Sequence, residues 1–409
     1  MQVCEIINVG TELLLGEILN SNAQYLCREL AAIGISVQRI ATVGDNPRRL
    51  QEDFSLALSR SDIVILTGGL GPTKDDLTKE VICEALCLPL IEDAKQLERM
   101  KAFFQKRGMP MTQSNLKQAM VPAGCTVLYN ENGTAPGIWI EINCKAIILL
   151  PGPPRELQHM FTQSLAPLLK PRGEGVIVSR HLRTIGIGES RLAELAADFL
   201  DMANPTVAPY AKDGEAYLRV SAAAPSKEQA EAMCQKVIKS LQLKVGIYAY
   251  SVDKDLAETV LDLLKAQGKT LAAAESCTGG GICRMLTELP GASQAFGYGY
   301  ITYANQAKED LLGVSREILS NHGAVSAQCA KEMAEGALAR SGADIAVAVT
   351  GIAGPGADST DKPVGLIYLH ATDGKRAKAL RLETGRGDRG YNRIAASKQA
   401  LELVRQLLI

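Results

Sequence analysis

Apolar and polar positions along the first 170 residues alternate between two periods. Short runs rich in apolar residues, such as Cys4–Val9, Val37–Val43, Asp62–Leu66 and Ala146–Leu150, read as strands, the last two as buried ones. Between them, Asn22–Ile33 repeats its apolar residues at helical spacing (Tyr25, Leu26, Leu30, Ile33) and stops at Gly34. Arg48–Ser59, Asp75–Leu86, Ala94–Arg107 and Arg155–Leu168 read as further helices, and Thr126–Tyr129 and Gly137–Ile142 as further strands. Strand and helix in alternation predict a parallel sheet with helices on its faces.

The pattern changes at Pro171-Arg172-Gly173-Glu174-Gly175, a turn-rich linker. Strand Val176–Ile185, helix Glu189–Leu200, strands Thr206–Ala211 and Glu215–Ala223, helix Lys227–Leu241 and strand Gly246–Tyr250 then compose a small α+β unit. From residue 253 a second α/β pattern begins. Helix Lys254–Gln267 leads to strand Thr270–Ala274, and Ala295–Tyr303 is strand-like. Helix Ser326–Arg340 precedes strand Ala343–Thr350, hairpin Gly365–Ala371 and Arg376–Leu382 follows, and helix Asp388–Leu408 closes the chain. The expected architecture is therefore α/β: two α/β domains (1–170 and 253–409) with open, largely parallel sheets, joined by an α+β module at 171–252.

Composition narrows the function. Lys plus Arg number 44 against 45 Asp plus Glu, a formal charge of −1, so the chain lacks the basic excess of a general nucleic-acid binder. No apolar run approaches the ~18 residues of a membrane helix, and the N-terminus lacks the basic start of a secretory signal. Ten scattered cysteines and four distant histidines make no zinc signature, and the expectation is a reduced, cytoplasmic protein without disulfides.

Candidate chemistry lies where strands run into glycine. In the first domain Thr67-Gly68-Gly69-Leu70-Gly71-Pro72-Thr73-Lys74-Asp75-Asp76 follows a strand, so Gly68, Gly69 and Gly71 allow main-chain amides to approach an anion. Asp75 and Asp76 either hold a divalent cation against a pyrophosphate or form an acidic first helical turn. Gly10 and Glu12 lie in a second loop after a strand, and two such loops define a crevice at the carboxyl edge of the sheet. Gly133–Gly137 and Pro151–Pro154 add lining or are plain turns.

In the last domain Glu275-Ser276-Cys277-Thr278-Gly279-Gly280-Gly281 is another strand–turn–helix junction. Ser276 suits a nucleophile with the Gly279 and Gly280 amides as its oxyanion hole, or else it caps a helix. Cys277 is a rival nucleophile, because a helix N-terminus lowers a thiol pKa. No histidine is well placed, since His322 and His370 fall in a loop and a strand. Lys308, just beyond a strand, is the alternative base if its pKa falls from ~10.4, and otherwise a surface charge. Thr350 opens a further glycine loop, and Arg389 before the last helix is a candidate phosphate clamp.

These motifs carry a resemblance. GTELLLGE, NSNAQYL, TGGLGPTKDDLT, NLKQAMVP, NGTAPG and LPGPPRE resemble the N-terminal domain of the competence/damage-inducible CinA family, itself similar to molybdopterin-binding domains. AESCTGG, ITYANQAKEDLLGV, HGAVS, AVTGIAGPG and KPVG resemble that family's C-terminal nicotinamide-nucleotide amidase domain. The resemblance implies hydrolysis of nicotinamide mononucleotide to nicotinate mononucleotide and ammonia by a Ser276/Lys308 pair, with Tyr303, Ser293, Thr350 and Arg389 around it and no cofactor. It also implies ADP-ribose pyrophosphatase activity in the first domain, dependent on Mg²⁺ or a similar divalent metal. Both substrates are pieces of NAD, which makes pyridine-nucleotide recycling the expected role. A homo-oligomer with no membrane or nucleic-acid partner is expected. The alternatives are a deamidase whose first domain binds nucleotide without catalysis, and a partner protein in competence or DNA recombination.

Overall fold

The structure, a computed structural model, describes residues 2–173, 175–356 and 361–409; Glu174 of the expected linker lies outside them. The chain divides into two compact units, Met1–Val178 with Ala222–Met233, and Ser179–Ser221 with Cys234–Ile409.

In the first unit β1 (Val3–Val9), β2 (Ser36–Val43), β3 (Ile63–Thr67), β4 (Thr126–Leu128), β5 (Gly137–Ile142) and β6 (Lys145–Leu150) make one sheet, ordered β2-β1-β3-β6-β5-β4. The pairs of β1 with β2, β1 with β3 and β3 with β6 are parallel, and β5 adds antiparallel strands at one side. All five residues of β3 are buried. Ile63 and Ile65 join the core on one face, Val64 and Leu66 that on the other. This is why the strand reads as an unbroken apolar run.

The α+β module has an antiparallel sheet of β7 (Val176–Thr184), β8 (Thr206–Lys212), β9 (Glu215–Ala224) and β10 (Ala249–Val252), ordered β8-β9-β7-β10. The strand expected at Gly246–Tyr250 starts later, because Gly246–Tyr248 first makes a 3₁₀ turn.

In the last domain β11 (Leu271–Glu275), β12 (Phe296–Ile301), β13 (Ile345–Gly351), β14 (Leu366–Thr372) and β15 (Ala377–Glu383) are ordered β12-β11-β13-β14-β15. β11 lies parallel between β12 and β13, and β13, β14 and β15 run antiparallel. β11 is buried throughout, with Leu271 and Ala273 in one core and Ala272 and Ala274 in the other. Both α/β domains have open sheets built on a parallel core, as expected, though in the last domain two of the four strand pairs are antiparallel; within each domain the parallel strands end at one carboxyl edge.

Three local differences matter. The helix expected from Asp75 begins at Thr78, so Asp75 and Asp76 stand in the preceding loop and are not a first helical turn. The helices Asn305–Leu312 and Arg316–Asn321 were not anticipated. The final helix runs Arg389–Leu408, with Asp388 accepting from the Tyr391 amide at its start.

Candidate active site and nucleotide cleft

β11 delivers Ser276 to the carboxyl edge of the last domain. Its amide bonds to the Val349 carbonyl of β13 at 3.0 Å, which holds the serine in line with the sheet. The helix behind it, Gly281–Thr287, is capped by Gly280 in a left-handed conformation (φ 94°), so Ser276 is not the cap. Lys308 comes from the helix Asn305–Leu312 and is buried, 1% exposed, which corrects the reading of a surface charge. Its Nζ lies 3.1 Å from Ser276 Oγ, 2.7 Å from the Thr302 carbonyl and 3.2 Å from the Tyr303 carbonyl. Among the described residues no histidine or carboxylate bonds to either side chain. Burial pushes the Lys308 pKa below the ordinary lysine value, because the charged ammonium loses its water; the nearby Cys329 and Cys277 thiols oppose this.

Nζ thus has three oxygen acceptors around it, Ser276 Oγ and the two carbonyls, and burial favours loss of its proton. Here Nζ donates to Ser276 Oγ; once the amine has lost a proton, the two carbonyls can keep its two N–H donors and its lone pair can accept the Ser276 hydroxyl proton. Cys277 is 5% exposed and burial raises its thiol pKa to about 12, so this site does not make a thiolate.

The turn between Ser276 and the helix is the part the sequence left incomplete. The Gly279 amide already bonds to the Ser276 carbonyl (3.1 Å) and the Gly280 amide to Glu275 Oε2 (2.9 Å), so neither is free for an oxyanion. Among the described residues the Thr278 amide donates to no other group, and the Cys277 amide meets only its own thiol, a weak acceptor. Glu275, 0% exposed, also accepts from the Ile282 and Cys283 amides at 3.2 and 2.9 Å. Arg393 donates two bonds to the Thr278 carbonyl, at 3.1 and 2.7 Å. Neither residue carried a sequence signal: a glutamate closing a strand and an arginine inside a helix look ordinary.

Arg389 donates to the Gly354 carbonyl (2.8 Å) and reaches the Tyr303 hydroxyl at 3.4 Å, so both side chains stand at one exposed rim. Tyr303 meets Lys308 only through its carbonyl. Thr350, buried beside Val349 on β13, bonds to the Ala324 carbonyl at 2.8 Å. Asn392 binds the Ala353 and Arg386 carbonyls, both at 2.9 Å, and fixes the glycine loop after β13. Ser293 is not brought to the pair. It sits exposed in the turn Ala292–Gln294 before β12, whereas Ser276 follows β11, and these parallel strands place the two at opposite edges.

In the first unit a cleft of about 630 Å³ opens at the carboxyl edge. Gly10 and Glu12 line one side, Gly68, Gly69 and Gly71 the floor, and Asp75 and Asp76 the other side. Gly68 (φ 94°) passes over β1 so closely that a Cβ would stand 2.3 Å from the Val9 carbonyl oxygen. A Cβ on Gly69 would stand 2.1 Å from Thr78 Oγ1. The Gly10 and Gly68 amides bond to Val43 and Leu150 carbonyls, while those of Gly69, Leu70 and Gly71 donate to no protein group among the described residues. Asp76 Oδ2 accepts from the Thr73 amide and hydroxyl, at 2.8 and 2.6 Å, and Asp75 is exposed. Pro151–Pro154 and Thr134–Ala135 complete the wall.

Among the described residues no three His, Cys, Asp or Glu side chains converge as a metal cage. Two carboxylates beside unpaired amides do fit a hard, hydrated cation, which takes one or two carboxylates and completes its shell with substrate phosphate. Among the described residues no two cysteines are joined in a disulfide, and no helix is long and apolar enough to cross a membrane.

Three family models match consecutive parts of the chain: a probable molybdopterin binding domain at residues 5–171, a damage-inducible protein CinA KH domain at 179–251, and a CinA C-terminal domain at 253–408. A CinA-like protein of Dictyoglomus thermophilum is 48% identical, with 99% of each chain covered. One of Dictyoglomus turgidum is 47% identical at the same coverage. A solved structure of the competence/damage inducible protein CihA from Agrobacterium tumefaciens is 44% identical over 37% of this chain and 93% of its own, with a TM-score of 0.36.

Proposed function

Since the chain belongs to the CinA family, we propose that its last domain is a serine–lysine amidase acting on nicotinamide mononucleotide, and that its first domain cleaves the pyrophosphate of ADP-ribose. The observation that carries the first activity is the buried amine of Lys308, held by two carbonyls with Ser276 Oγ at 3.1 Å.

Neutral Lys308 takes the hydroxyl proton as Ser276 Oγ attacks the carboxamide carbon. Main-chain amides of the turn receive the negative oxygen. Collapse breaks the carbon–nitrogen bond, and the Lys308 ammonium returns its proton to the departing ammonia. Water then attacks the ester, losing a proton to Lys308; the carbon–Oγ bond breaks, the Lys308 ammonium returns that proton to Ser276 Oγ, and nicotinate mononucleotide leaves. Arg389 at the rim holds the substrate phosphate, with Tyr303 beside it.

In the first domain Asp75 and Asp76 would hold a divalent cation, which when bound neutralises pyrophosphate charge. The unpaired Gly69, Leu70 and Gly71 amides bind the phosphate oxygens, and Gly68 lets the chain approach them. Together the two activities recycle pieces of NAD in the cytoplasm. A deamidase-only reading, with the cleft a nucleotide-binding module, is favoured by one observation: Asp76 Oδ2 is already engaged by the Thr73 amide and hydroxyl of its own loop.

Incubating the purified chain separately with nicotinamide mononucleotide and ADP-ribose plus Mg²⁺, and identifying products, tests both. Ammonia with nicotinate mononucleotide, and AMP with ribose 5-phosphate, are expected. Ammonia alone leaves the deamidase-only reading, and no ammonia removes the amidase assignment.

A further inference from the structure

The turn after Ser276 is gripped from two sides by residues that have no part in the proton transfer. Glu275 is fully buried, and among the described residues no lysine or arginine pairs with it. A buried carboxylate is costly unless hydrogen bonds meet its charge, and here three amides do so, from Gly280, Ile282 and Cys283. A small exposed Ser or Asp caps a helix without that penalty, so capping alone does not call for a buried glutamate. From the other side, Arg393 of the final helix fixes the Thr278 carbonyl with both Nε and Nη2. Between these grips lie the two amides of the turn, Cys277 and Thr278, that bond to no other residue among those described.

We propose that Glu275 and Arg393 are positioning residues, which hold the Cys277 and Thr278 amides as the oxyanion hole for Ser276. The inference rests on the amidase reading above. Its physical basis is that donors fixed before the reaction stabilise developing charge without reorganising during it. Glu275 draws the amides at the helix start onto itself, so the turn cannot relax to offer Gly280 instead. Arg393 stops the peptide between Thr278 and Gly279 from flipping.

The test uses the full chain with E275Q, R393K and R393M. Glutamine keeps the size of glutamate but sets an NH₂ against N–H donors. Lysine retains one of the two bonds of Arg393, and methionine none. We expect kcat for nicotinamide mononucleotide to fall about 100-fold in E275Q and R393M, with KM within about 3-fold. R393K should recover part of the loss, and the pH midpoint set by Lys308 should not move. A second readout needs no natural substrate: phosphonylation of Ser276 by a small alkyl fluorophosphonate, read by mass spectrometry. There Oγ bonds to phosphorus, fluoride leaves, Lys308 takes the hydroxyl proton, and the P=O oxygen occupies the same hole. Its rate should fall in parallel with kcat.

Wild-type kcat and labelling in E275Q and R393M would overturn the proposal. So would losses spread equally over KM, the pH midpoint and the melting temperature, which mark a merely structural role. If E275Q does not fold, the graded series from Arg393 through Lys to Met decides alone. If the wild-type chain releases no ammonia, yet its Ser276 labelling depends on Glu275 and Arg393, the amidase reading fails and the clamp stands.

Discussion

The two α/β domains begin from the same geometry, a buried parallel strand running into a glycine turn, and finish with different degrees of readiness. At Ser276 the hydroxyl and the Lys308 amine are buried and joined at 3.1 Å, and two carbonyls also accept from the amine. In the cleft of the first unit the carboxylates are exposed or tied to their own loop, and the amides of Gly69 to Gly71 bond to no group among the described residues. The first site has its charge arranged in advance. The second offers a cradle that phosphates and a cation must complete. Deep burial is what separates them, because it lowers the Lys308 pKa below the ordinary lysine value.

If that contrast is right, the largest effect comes from Ser276→Ala. It should lower ammonia release by about 10³-fold or more while leaving ADP-ribose hydrolysis intact. Cys277→Ala should keep most of the activity, and the reverse pattern in a product assay would make the thiol the nucleophile. Lys308→Met should cost a similar factor. In the wild-type chain kcat should rise with pH through a midpoint below the ordinary lysine value of ~10.4, since only the neutral amine accepts a proton. A rate that is flat with pH, or a Met variant with wild-type turnover, would remove Lys308.

The next effect is confined to the first domain. EDTA should stop ADP-ribose hydrolysis and excess Mg²⁺ restore it, while deamidation continues in the same tube. Asp76→Asn should weaken the hydrolysis by about 10- to 100-fold with deamidation unchanged. EDTA-resistant AMP formation would remove the cation. The smallest effect is on stability. Gly68→Ala places a Cβ against the Val9 carbonyl at φ 94°, and should destabilise the first unit by about 1–3 kcal/mol, read by thermal unfolding.

The strand-to-glycine junctions were legible because period and punctuation are local. Asp62–Leu66 before TGGLG and Thr270–Ala274 before ESCTGG each show an apolar run ending in residues that relieve a steric conflict. Lys308 was legible only as a residue just past a strand. The helix that carries it, Asn305–Leu312, has no side-chain cap and little apolar periodicity, and its burial comes from packing far away in sequence. Glu275 and Arg393 were invisible because their partners are main-chain atoms, 5 to 8 residues away for one and 115 for the other. The oxyanion role expected for Gly279 and Gly280 failed for the same reason: sequence shows where amides are, not which acceptors already hold them. Ser293 was placed by resemblance, and strand direction carried it to the far edge.

The burial of Lys308 has a further consequence, for how such a protein tolerates change. A lysine whose proton affinity is lowered by the fold subtracts stability at every pH below its folded pKa, because the unfolded chain holds that proton more tightly. The deficit shrinks only as the pH climbs towards ~10.4, where both states are neutral. An apolar replacement of similar length removes the deficit at neutral pH, so variants selected for heat resistance alone would tend to discard this side chain early. On the proposed reading, fold and chemistry place opposite demands on position 308.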